Sequence, residues 1–539
     1  MSKNFSKISN HVKTYATYSE FFNRKASIDE IYNDLRSINL EEALFILSGF
    51  TIWNMRSKQY LKEILIPLIS TDDLDYLNSV EAFDVSNLMY TMKWFIAYGT
   101  RSPIQGFNND FSNLVNVYLT VLKITDYMVD SINGYSDVQE VILKSSLFLR
   151  DSQLDRALIR QHVIFEEIAR DRNRFTPKSF LDIHGAFEEK YGYTISQYIS
   201  VVFTLNMDCI KGLDLDDIRN DTEWGINPSS FFDKVSIKNT ALSIYKDIVI
   251  DPLNLREWAK NTLENPYDFE AMLLHPMFSY KNKAYPFSPG NMNSVLFEGL
   301  YFKIRNCYDQ KDQSFHRFYG LLFESYVSNL LKDAVEKAKI KGYKFIEEFK
   351  YGKQNNLSSD AYILLGKSLL IIECKAGKIR KETKLEADEE TSKGDFEKYV
   401  MKPITQASNA YTDVIKNQPN FFGKVKKVFI LAVSSHSFPR LPRFIALMDD
   451  PEWEKNLDPI VKEYDFLGIN EIELMAYIIS NHDSSVFRFI ETKKRADDFT
   501  PYQNYYYRKY GEIKKSDLLT EAFWKAQKNI RRILFSKNH

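Results

Sequence analysis

The feature that constrains this chain most is one stretch that sets charged residues at the ends of two apolar runs: Ser359-Asp360-Ala361-Tyr362-Ile363-Leu364-Leu365-Gly366-Lys367-Ser368-Leu369-Leu370-Ile371-Ile372-Glu373-Cys374-Lys375. Two apolar runs flank Gly366-Lys367, and glycine at the first central position favours a two-residue type II′ hairpin. That turn pairs Leu365 with Ser368, and the register then sets Asp360 opposite Glu373. Opposed residues project to one face, and Lys375, two residues beyond Glu373, shares it. Two carboxylates and a lysine therefore converge at one end of an otherwise aliphatic hairpin. A bulge near Asp360 would shift this pairing by one residue.

Two carboxylates placed this close repel unless something cationic sits between them. Oxygen ligands suit a hard divalent cation, and Mg²⁺ commonly takes one or two carboxylates, several waters and a substrate phosphate. Such an ion polarises a phosphodiester and acidifies a bound water. A lysine beside it can orient that water or stabilise charge developing on the phosphate. The set is sufficient for metal-dependent phosphodiester hydrolysis.

Asp360, a twelve-residue gap, then Glu373-Cys374-Lys375 at the end of an apolar strand resembles the PD-(D/E)XK nuclease superfamily, the restriction-endonuclease-like fold. The resemblance implies that Asp360 and Glu373 bind Mg²⁺ or Mn²⁺ and that Lys375 assists the attacking water. Ser359 stands where the family's proline precedes the first acid, a departure the superfamily often shows. The family often carries a further Glu on the helix before the core strands, and Glu324 fits that place. At helical spacing its neighbours are Gly320, Val327 and Leu331, a small and apolar face on which an unpaired carboxylate is costly; the other reading is a surface Glu beside that stripe. Some branches place a Gln on the helix after the motif, which Gln406 matches, against the reading of an ordinary polar helix position. Tyr411, five residues on rather than four, matches poorly.

The resemblance covers about residues 295–480 and sets the expected organisation. With 539 residues, the chain exceeds one ordinary core. Residues 1–290 read as an all-helical region, with capping boxes at Ser27–Glu30 and Asn39–Glu42 and helical patterns at 84–98, 111–129, 137–170, 177–191, 194–210 and 236–248. The stretch 279–293, rich in Pro, Gly, Asn and Lys, is the candidate linker, with a weaker break at 220–230. Residues 291–539 read as an α/β domain with a mixed central sheet: helices at 294–307 and 312–341, strands at 343–349, 361–365, 369–375 and 425–433, and a helix at 395–416. The expected fold is thus multidomain, an all-α region followed by a restriction-endonuclease-like α/β domain.

Charge divides along the same line. Residues 301–539 carry a net +8 and residues 1–300 a net −9. A basic half hints at a polyanionic ligand, and the resemblance favours nucleic acid, DNA above RNA. A large helical module on such a nuclease also resembles bacterial antiviral (anti-phage) defence proteins. There the extra part, as sensor, regulator or oligomerisation region, controls cleavage and could receive a protein trigger or a second copy. The expectation from another class is a nucleic-acid-binding scaffold with a nuclease-like fold and no turnover. Three cysteines without short spacing, and no apolar run of the length a bilayer needs, point to a cytoplasmic setting with no membrane.

Other features carry less. Gly366-Lys367-Ser368 is no phosphate loop, because position 361 is Ala and the tripeptide joins two strands. The eight histidines show no metal-ligand spacing, and His436 follows the 425–433 strand. The charged tract 378–393 is expected to be a solvated loop, with a substrate-facing lid as the alternative. The Tyr502–Tyr510 segment interleaves rings with cations, suiting either base stacking or packing on the core.

Overall fold

The apolar runs around Gly366 form the expected hairpin in the computed structural model, which describes residues 16–52, 84–102, 112–129, 135–148, 153–209, 224–309 and 311–535. Its strands belong to a five-stranded sheet. Three short strands come earlier in the chain: β1 (Val249–Ile250), β2 (Met277–Tyr280) and β3 (Lys283–Pro286). The sheet then comprises β4 (Tyr343–Glu347), β5 (Ala361–Leu365), β6 (Ser368–Lys375), β7 (Lys427–Ser434) and β8 (Val461–Gly468). The order is β8-β7-β6-β5-β4, with β6, β7 and β8 parallel and β4, β5 and β6 antiparallel. Gly366 has φ +60° whereas Lys367 does not enter the left-handed region, as a II′ turn requires. Leu365 pairs with Ser368 and Ala361 with Ile372, so the expected register holds throughout the hairpin. Strand β8 had no counterpart among the strands expected from sequence, because Val461–Gly468 carries Lys462, Glu463 and Asp465 in place of an apolar run.

Period-two alternation divides the sheet between two cores. Ile363, Leu370, Ile372, Phe429 and Leu431 face one side, against the Ser314–Glu336 and Ile469–Asn481 helices. Tyr362, Leu369, Ile371, Val428 and Ile430 face the other, against the Lys402–Asn417 helix. Glu373 and Lys375 have the parity of Ile371, and Asp360 that of Tyr362. The layering therefore points the three motif side chains toward the face that carries the 402–417 helix. No described helix is long and apolar enough to cross a membrane.

The helices of the first half start where their caps predict. Ser27 closes a capping box with Glu30 ahead of Ile28–Ser37, and Asn39 accepts from the Glu42 N–H ahead of Leu40–Ile52. Asp84 caps Val85–Tyr98, and Gly99 ends it by donating to the Phe95 carbonyl. The pattern at 137–170 is not one helix: it comprises Tyr135–Phe148, Leu154–Gln161 and a π-helical stretch, His162–Ile168.

Three sequence expectations need correction. The region before residue 290 is not all-helical, since β1, β2 and β3 form a small sheet within it. The candidate linker 279–293 is a buried hairpin and helix start: Lys281 and Asn282 take positive φ in the turn, and Tyr285 and Phe287 are fully buried. Turn-forming residues marked a turn there and not a boundary, because aromatic rings between them had a core to enter. The tract 378–393 is not a loop, for it forms helices Lys381–Leu385 and Glu389–Phe396. Buried Asp395 pins them, accepting from the Arg380 backbone N–H and guanidinium and from the Thr383 hydroxyl. The weaker break at 220–230 lies partly outside the described residues.

One apolar core runs across residue 290. It joins Leu158 and Ile159, Val201 and Val202, Leu296 and Leu300 to Leu322, Phe323 and the inner sheet residues. A buried ionic cluster ties the same layers together. Glu473 accepts from Arg156, from Arg160 at 2.6 Å and 2.9 Å, and from the Tyr326 hydroxyl at 2.7 Å. Tyr326 lies two residues from Glu324 on the 314–336 helix.

Candidate active site

The site is assembled at the open end of the hairpin. Ala361–Ile372 is the last ladder pair before it, and continuing the register sets Asp360 opposite Glu373. Asp360 caps the strand end: its Oδ2 accepts the Cys374 backbone N–H at 2.6 Å. Glu373 is 3% exposed, and its Oε1 accepts from Lys375 Nζ at 3.2 Å. Its Oε2 is buried and makes no hydrogen bond of normal geometry, with the Ser359 hydroxyl the side chain that acts weakly on the same carboxylate. An orphaned buried carboxylate oxygen is costly and marks a place where a cation would be favourable.

Glu324 comes from the helix on the opposite face of the sheet and is half-buried. Burial raises its pKa to about 8, and the charges of Asp360 and Glu348 add to the rise. Glu373 is pushed up to about 7 by burial and by Asp360, with Lys375 opposing. Asp360 is raised by burial, against the pull of the Cys374 N–H. Burial works against the Lys375 ammonium, yet Glu373, Asp360 and Glu324 together hold its pKa above the ordinary lysine value. Three carboxyls raised by shared burial and mutual repulsion around one ammonium form an electrostatically coupled group.

Asp360, Glu373, Lys375 and Glu324 are thus brought together. Gln406 is exposed on the 402–417 helix and lines a cleft of about 690 Å³ with Glu373. Tyr411 is buried and stacks on Phe422 at 5.9 Å, a packing role. His436 is buried with its Nε2 3.1 Å from Glu298 Oε1 and lines no part of that cleft. Tyr502 and Tyr506 of the aromatic segment are buried and bond Asp465 and His482 respectively, while Tyr507 is exposed.

Sequence reasoning missed Glu348, whose charge acts on Glu324 and whose own pKa is raised by burial and by Asp360. An acidic doublet, Glu347-Glu348, at the end of the first core strand was the available signal. It also missed Asn409 and Trp453, which line the cleft beside Gln406. Asn409 was within reach as the position three beyond Gln406 on the same helix, but Trp453 arrives from a distant segment with no local sign.

Among the described residues no group of three or more His, Cys, Asp or Glu stands in metal-holding geometry. Asp360 is engaged by the Cys374 N–H and Glu373 by Lys375. The donor chemistry still fits a hard divalent cation, which needs only one or two carboxylates when water and phosphate complete its shell.

Comparison with protein-family models, with curated proteins and with solved structures returns no match in any of the three.

Proposed function

We propose that this chain is a Mg²⁺- or Mn²⁺-dependent nuclease that hydrolyses phosphodiester bonds of nucleic acid, with DNA the first substrate to test. The observation that carries this reading is the group of Asp360, Glu373, Glu324 and Lys375, in which buried Glu373 Oε2 makes no hydrogen bond of normal geometry. Asp360 and Glu373 would hold the ion, with Glu324 as the adjoining carboxyl. When bound, it would polarise the phosphodiester and acidify a water.

The protein's own groups divide the remaining work. Lys375 is kept as an ammonium by its three acidic neighbours, so it acts as a donor and not as a base. One of its N–H groups donates to Glu373, leaving others to donate to the phosphate oxygens or the attacking water. Water adds to phosphorus and gives up a proton, one ester P–O bond breaks, and the departing oxygen takes up a proton in exchange, so the step balances. The shared core and the Glu473 cluster give the first 290 residues a physical route to the Glu324 helix, and control of cleavage by that region in antiviral defence belongs to this reading.

The test is incubation of the purified chain with plasmid, linear duplex, single strands and RNA, in Mg²⁺, Mn²⁺ or EDTA. Cleavage that needs the metal and vanishes in Asp360→Ala and Lys375→Ala is expected. Cleavage surviving EDTA or either substitution would overturn the mechanism. A second reading, a non-catalytic nucleic-acid-binding scaffold, draws on the lack of a three-ligand group among the described residues. It predicts nucleic-acid binding that EDTA leaves unchanged.

A further inference from the structure

The cleft beside Glu373 has a lining that hydrolysis alone does not use. Its volume of about 690 Å³ falls in the range of small-ligand sites. One wall is the face of the 402–417 helix on which Gln406, Asn409 and Asp413 follow at spacings of three and four. Gln406 and Asn409 are exposed into the cleft. Trp453, half-buried, contributes an indole braced edge-on by Tyr464 at 5.3 Å, and buried Tyr351 contributes a second ring.

The charge of this lining selects among nucleic-acid substrates. Among the described residues that line it, Lys402 is the one cation, against the carboxylates of Glu373, Glu397 and Asp413. Two phosphate rails of a duplex call for a basic track, which such a lining does not provide. A flat, neutral, hydrogen-bonding group does suit it. Each amide offers two donors and an acceptor to a base edge, and an aromatic ring stacks on any base irrespective of sequence.

We infer that this cleft receives an unpaired nucleobase from the strand whose phosphate lies at Glu373 and Lys375. The preferred substrate is then single-stranded or locally unpaired nucleic acid. This inference rests on the nuclease reading and adds the substrate class and the residues that select it, Gln406, Asn409 and Trp453. An unpaired base can belong to DNA or RNA, so both enter the test.

The experiment uses the full chain. Fluorescence anisotropy measures binding of Lys375→Ala, in Mg²⁺, to a labelled single-stranded DNA, the same sequence as RNA, and the corresponding DNA duplex. The same binding is read after adding Gln406→Ala with Asn409→Ala, Trp453→Ala or Trp453→Phe, and cleavage of the same three substrates is followed with Lys375 restored. Single strands should bind about tenfold more tightly than duplex, and loss of the amides or the indole should weaken them roughly fivefold or more, with Phe restoring the stacking part. Thermal melting checks that each variant is folded, and Trp453→Phe serves where Trp453→Ala is not. Equal or tighter duplex binding, or single-strand binding indifferent to these substitutions, overturns the base cleft while metal-dependent cleavage leaves the nuclease reading standing. Absence of both binding and cleavage on every nucleic acid overturns the two together.

Discussion

Asp360 reaches across the open end of the hairpin and accepts the backbone N–H of Cys374 at 2.6 Å. The carboxylate that the proposed chemistry needs is thus also the group that closes the ladder at Cys374, between Glu373 and Lys375. The two roles separate by substitution. Asp360→Asn keeps an acceptor for the Cys374 N–H and loses the charge, so folding should be retained while Mg²⁺ binding measured by calorimetry falls below detection. Asp360→Ala should lose both, with a lower melting temperature, because the buried N–H is left unsatisfied at a cost of about 1–3 kcal/mol.

Lys375→Ala should reduce cleavage by about 10²-fold or more, the usual range for a positioned proton-handling group. Mg²⁺ affinity should persist in this variant because the carboxylates remain. Loss of metal binding on the same substitution would show that the lysine's role is structural.

The raised carboxyl pKa values have a stability consequence whose sign is fixed. Glu324 and Glu373 titrate near pH 8 and 7 in the folded protein but near 4.5 when unfolded. Between those limits the folded state holds more protons than the unfolded one, so stability falls as pH rises from about 4.5 to 8. Melting temperature measured in EDTA should therefore decline over that window. Glu324→Gln should flatten the decline, and Mg²⁺ should raise the melting temperature more at pH 8 than at pH 5. A flat profile in EDTA would contradict the coupling of these groups.

Glu473→Gln removes the one carboxylate shared by Arg156, Arg160 and Tyr326. Two guanidinium groups would be left buried and unpaired, and the loss should be about 3–5 kcal/mol by denaturant unfolding. Tyr326→Phe deletes only one hydrogen bond to the same carboxylate and should cost about 1.5–3 kcal/mol. Because Tyr326 and Glu324 share a helix, both substitutions should also lower cleavage, although neither residue lines the Glu373 cleft.

Gly366→Ala should cost about 1–2 kcal/mol, since the turn holds φ at +60° and an L side chain resists that region. A Cβ there meets nothing within 4 Å, so the whole cost is backbone strain. A neutral substitution would mean that the turn rearranges, which would be visible as altered Mg²⁺ affinity through the Asp360–Glu373 register.

Local pattern was enough for the hairpin, its turn type, its register and the convergence of Asp360, Glu373 and Lys375. All of these follow from two apolar runs and one glycine within a short span of chain. The caps at Ser27 and Asn39 were legible for the same reason, because a side chain bonds a backbone group three residues away. The hairpin at β2–β3 read as a linker, and the helices at 381–385 and 389–396 as a loop. What decided them was Tyr285 and Phe287 finding a core, and Asp395 finding Arg380 and Thr383.

Sequence by itself determined which residues share the hairpin face. Only the tertiary structure decided that Glu324, from the opposite face, joins that charge group, that Glu348 acts on it, and that Trp453 stands beside Gln406 and Asn409. It likewise decided that residues on both sides of position 290 share one core. The physical reason is range: hydrogen-bond register and helix capping act over a few residues, whereas burial and charge act through space between segments that folding alone brings into contact.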